Sequence, residues 1–108
     1  MNIPESIKVL YRDYAVIEKE NLHDGDSELF GQVADLEQVI SLNKDATREQ
    51  KEVTLLHEAI HALDALFVIE LSEAQVEKLA IGIYMLVLDN PMMFAKQPII
   101  KKGFNQFE

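Results

Sequence analysis

A five-residue pattern near the middle of the chain constrains it most: His57-Glu58-Ala59-Ile60-His61, set in the apolar, helix-favouring run from Val53 to Asp64. Residues four apart on an α-helix lie on one face, one turn apart, so His57 and His61 can direct their imidazoles at a single point with Glu58 beside it. Neutral imidazole nitrogen suits a borderline ion such as Zn²⁺, whose catalytic sites supply three protein ligands and leave a fourth position to water. A carboxylate next to the first histidine can take a proton from that water. The bland alternative is a pair of ordinary histidines on a helix face. The helical context is what separates the two readings.

That context is written on both sides of the pattern. Thr47-Arg48-Glu49-Gln50 matches a capping box, and Val53, Leu56, Ile60, Leu63 and Leu66 follow at helical spacing, so a helix is expected from Thr47 to about Phe67. A short link to Leu71 follows. Ser72-Glu73-Ala74-Gln75 is a second capping box, and Asp89-Asn90-Pro91 stops the helix it opens. This second helix is apolar nearly all round from Leu79 to Leu88. Something must cover its outer face, either the tail from Met92 to Glu108 or a second copy of the chain in a homodimer.

Upstream, β-branched and aromatic residues from Ile7 to Ile17 indicate one strand, bulged or broken near Arg12-Asp13. Glu18 to Glu28 is polar, carries Asp24-Gly25-Asp26 and reads as a loop holding His23. Leu29 to Ala34 and Gln38 to Leu42 are expected as two further strands, with Ile40 and Leu42 inward and Val39 on the other face. The fold expected is therefore α+β: a small antiparallel sheet followed by an antiparallel helix pair, in one domain spanning residues 1–108.

Composition narrows the partners. The chain carries 10 lysines and arginines against 19 acidic residues, a formal charge of -9, which argues against direct nucleic-acid binding; Lys96, Lys101 and Lys102 form only a small basic cluster. There is no cysteine, which rules out disulfides, thiolate ligands and a cysteine nucleophile. The first residues have no signal-peptide pattern and the longest apolar run is about half of a membrane span. A cytoplasmic protein with no membrane partner is expected.

For the third ligand the helix pair itself offers candidates. His61 lies about five residues before the first helix ends and Glu77 five after Ser72, so at about 1.5 Å per residue the two come level across the pair. Glu77 also sits between Val76 and Leu79 on a burying helix and so needs a charge partner. Glu73 is the rival, otherwise explained as a first-turn acid favouring the helix dipole. Glu70 in the link is a weaker candidate. Asp64, one turn beyond His61, either orients an imidazole or is solvated. His23 is read as exposed, and Tyr11, Tyr14 and Tyr84 as packing residues rather than transition-state donors.

The capped helix with His57, Glu58 and His61, a short link and a helix bearing Glu77 resembles the gluzincin type of zinc metallopeptidase. With the strands before it, the stretch from Leu29 to Pro91 is similar to the minimal zincin domain of the ImmA/IrrE family and related short phage proteins. The resemblance implies His57 and His61 as metal ligands and Glu58 as general base. It implies Glu77 less directly, because that family has an alanine immediately after the ligand glutamate and Lys78 stands there. It further implies cleavage of a partner protein, often a repressor, with Zn²⁺ as cofactor. A metal-stabilised interaction protein without turnover is the competing reading, since a single small domain is expected, with no second lobe to complete the cleft.

Overall fold

The computed structural model describes residues 3–95. The expected first strand is a hairpin instead. Strands β1 (Ser6–Val9) and β2 (Arg12–Lys19) pair antiparallel, turning at Leu10 and Tyr11 with Leu10 in the left-handed region at φ 55°. The break expected near Arg12 is that turn. A small second hairpin, β3 (His23–Asp24) and β4 (Ser27–Glu28), occupies the segment expected as loop, with Gly25 at its tip. Strands β5 (Gly31–Ala34) and β6 (Val39–Asn43) complete a four-stranded sheet in the order β1-β2-β6-β5.

The sheet is mixed rather than antiparallel, because β6 pairs parallel with β2 and antiparallel with β5. After β2 the chain steps sideways by two strand widths, roughly 10 Å, through the β3–β4 segment. It then descends as β5 and returns as β6 into the space left between. The last strand takes the middle because it carries the most to bury: Ile40 and Leu42 have no exposed surface, and Ser41 and Asn43 are buried too. Asn43 satisfies its amide by donating to the Leu29 carbonyl at 2.9 Å.

Helix α1 (Arg48–Phe67) and helix α2 (Glu73–Asp89) both open on the expected capping boxes, at Thr47 with Gln50 and at Ser72 with Gln75. Leu55 and Ala62 of α1 pack with Tyr14, Ile40 and Leu42 of the sheet. Ile60, helped by Val53 and Leu56, packs instead with Val76 and Ala80 of α2. Thus α1 lies between the sheet and α2, and one further face of it is left for other work. The close seat of β5 on α1 depends on Gly31, where a Cβ would collide with Thr54 Cγ2.

Only the stripe Val76, Ala80 and Tyr84 of α2 is buried; Leu79, Ile83 and Leu86 are exposed among the described residues. A short 3-10 turn, Pro91–Met93, follows. Most of the tail expected to cover α2 lies outside the described residues. Among those described, no helix is long and apolar enough to cross a membrane.

Candidate metal centre

Helix periodicity puts Glu49, Val53, His57 and His61 along one side of α1, where Val53 also joins the contact with α2. They open into a cleft of about 1070 Å³, walled on one side by β5 and on the other by α2. The two imidazole rings lie 4.9 Å apart, tilted by 58°. Both are partly shielded, and both point their Nε2 atoms at the same carboxylate. Glu73 Oε1 lies 2.7 Å from His57 Nε2 and Glu73 Oε2 lies 3.0 Å from His61 Nε2. One atom from each of the three residues falls within 4.8 Å of the others, making this the group among the described residues suited to hold a metal.

Glu77, expected as the third ligand, does not join that group. It stands four residues beyond Glu73 and lines the same cleft. The difference comes from the link. Asp64 gathers it: its backbone carbonyl accepts from the Val68 and Ile69 amides, and its Oδ1 accepts from the Glu70 amide at 2.7 Å and the Leu71 amide at 3.2 Å. Val68 and Glu70 take left-handed backbone, at φ 55° and 68°. The link therefore folds back over the last turn of α1, and α2 begins beside His61 instead of level with Phe67. Glu77 would come level with His61 only if the link ran on without that fold-back. Glu73, the rival candidate in the first turn of α2, is the carboxylate that lies beside both imidazoles.

The three donors fit a zinc ion. Two imidazole nitrogens and a carboxylate are a usual catalytic ligand set, and tetrahedral bonds of about 2.0–2.1 Å hold ligands roughly 3.3 Å apart. The histidine-to-Glu73 spacings of 2.7 and 3.0 Å are shorter by about 0.6 and 0.3 Å, as direct hydrogen bonds should be, and Glu73 is exposed enough to draw back.

Glu58 is 7% exposed, on the sheet side of α1, and lines the cleft. Its carboxylate makes no hydrogen bond among the described residues. Burial pushes its pKa above the ordinary value; His57 and His61 oppose the rise, and Glu73 and Asp35 add to it. Further along, Tyr84 of α2 donates to Glu52 Oε1 at 2.7 Å, and that carboxylate holds the phenol up to about 12. Tyr84 is thus a buried strut between the helices, and Tyr14 lies in the core with its hydroxyl 3.3 Å from Asp35. Tyr11 is exposed. His23 sits on the β3–β4 hairpin, 2.8 Å from the Asn21 carbonyl and apart from the metal group.

A comparison of the chain with protein-family models, with curated proteins and with solved structures gives no match.

Proposed function

We propose that this chain is a zinc-dependent metalloendopeptidase that hydrolyses a peptide bond in a partner protein. The observation that carries the reading is the meeting of His57, His61 and Glu73 in a cleft into which the buried Glu58 also opens. His57, His61 and Glu73 would hold the ion, and bound zinc supplies Lewis acidity together with a water far more acidic than bulk water. Glu58 takes the proton of the attacking water and returns it to the departing amine, so that a C–O bond replaces the C–N bond. Its raised pKa suits both halves of that task, because a base works best when its pKa approaches the working pH.

Strand β5 supports a peptide as substrate. It is the edge of the sheet nearest the cleft, and its free backbone groups can pair with an extended chain. That edge belongs to β5 alone, since β6 is central and already paired on both sides. A repressor protein is one partner of this class. Metal analysis of the purified chain, with cleavage of an unfolded protein substrate, tests the reading. Glu58→Gln should keep its zinc while cleavage falls at least about a hundredfold, the scale of general-base loss.

The exposed apolar face of α2 favours a second reading, a zinc-stabilised interaction protein without turnover. Zinc bound at His57 and His61 with no cleavage by the intact chain would select it.

A further inference from the structure

Charge in the cleft is one-sided. Asp35, Glu49, Glu58, Asp64, Glu73 and Glu77 all line it, and among the described residues no lysine or arginine does. The cations nearby are engaged elsewhere: Lys51 Nζ lies 2.6 Å from Glu18, and Arg48 pairs with Glu52. Lys78 follows Glu77 in sequence but lies off the lining. Among the described residues, neither Glu49 nor Glu77 has an ion-pair or hydrogen-bond partner. Buried Glu58, likewise without a hydrogen bond among them, opens into the same space.

A divalent ion on the histidines would not reverse this sign. Its two charges are matched by Glu73 and Glu58, and Asp64 is committed to the link amides. Asp35, Glu49 and Glu77 remain. Their places are regular: Glu77 stands one helical turn beyond Glu73, and Glu49 two turns before His57. One turn, about 5.4 Å, is close to two residues of extended chain. Val53 of α1 and Ile81 and Met85 of α2 add apolar surface to the same cleft.

Resting on the peptidase reading, we infer that the cleft selects a cationic segment, an extended peptide with lysine or arginine two to four residues from the bond to be cut and apolar side chains between. Glu77 and Glu49 are the specificity-determining residues. They receive the basic side chains, while the apolar walls receive the rest. An acidic segment is excluded, because its carboxylates would be drawn out of water towards like charge.

The test is a binding comparison on the intact, zinc-loaded chain carrying Glu58→Gln to prevent turnover. Three labelled peptides share one length and one apolar framework, with two lysines, two glutamines or two glutamates at the variable places. The lysine peptide is expected to bind at least about tenfold tighter than the glutamine peptide, with the glutamate peptide weakest, and the advantage should shrink as salt rises. Adding Glu49→Gln, two turns from the metal, should cut the advantage severalfold with zinc affinity unchanged. Equal binding of the lysine and glutamine peptides, binding by none of the three, or a lysine advantage untouched by Glu49→Gln would each overturn the inference. Zinc uptake measured on the same samples tests the metal centre separately. A chain that takes up no zinc fails the peptidase reading, and the same three peptides on it still decide the preference of the cleft.

Discussion

At the scale of single residues, the centre turns on which glutamate closes it. Glu73 touches both imidazoles, and Glu77 stands one turn further along the cleft. Glu73→Gln should therefore weaken zinc binding at least about tenfold, since it replaces a charged ligand with a neutral one, while Glu77→Gln should leave zinc affinity within about twofold. Titration calorimetry on the two variants checks this, and the reverse result would place the third ligand at 77. Glu58 carries a second expectation, with a definite sign. Its folded pKa is raised, so the ionised form is the one that folding disfavours. The cost is present above that raised pKa and fades as pH falls to the unfolded value of about 4.3. With metal removed by a chelator, Glu58→Gln should melt at a higher temperature than the parent chain at pH 7, and the gap should close as pH approaches about 4. A gap that stayed constant with pH would show that the carboxylate is not desolvated.

Among the elements, the link between α1 and α2 decides where Glu73 stands. Val68 is exposed and left-handed, a conformation that a β-branched side chain resists. Val68→Gly is expected to stabilise the chain by about 1 kcal/mol in denaturant melts, with zinc affinity unchanged. Asp64→Ala should do the opposite to the site: with the Glu70 and Leu71 amides released, α2 loses its seat and zinc binding weakens even though Asp64 is no ligand. These two outcomes mark what sequence reading reaches. Both helices were legible because capping boxes and apolar spacing are local signals, and so was the pairing of His57 with His61, fixed by one turn of helix. The fold-back at Asp64 was not, because it depends on four amides converging on one residue and on two left-handed residues that are not glycine. Strand order escaped for a related reason. Local alternation shows that Ile40 and Leu42 turn inward, but that β6 would slip between β2 and β5 follows only from the competition of all strands for the central place.

For the molecule as a whole, the open question of packing lies on α2. Its inner stripe, Val76, Ala80 and Tyr84, is satisfied by α1, while Leu79, Ile83 and Leu86 form a second stripe at helical spacing that nothing among the described residues covers. Each is between 38% and 45% exposed. Phe67, Val68 and Ile69 are exposed as well among the described residues. The stripe is self-complementary in an antiparallel sense: Gly82 lies at its middle with nothing within 4 Å of a Cβ placed there, so two such helices could approach closely. Self-association through this stripe is the expected consequence, and the cleft on the other side of α2, lined by Ile81 and Met85, would stay open to substrate. Sedimentation across a dilution series should show a mass that rises with concentration. Leu79→Glu should abolish the rise and change the stability of the dilute chain by no more than about 0.5 kcal/mol, the usual scale for an exposed position. A strong loss of stability in the dilute variant would mean instead that Leu79 is already covered within a single chain.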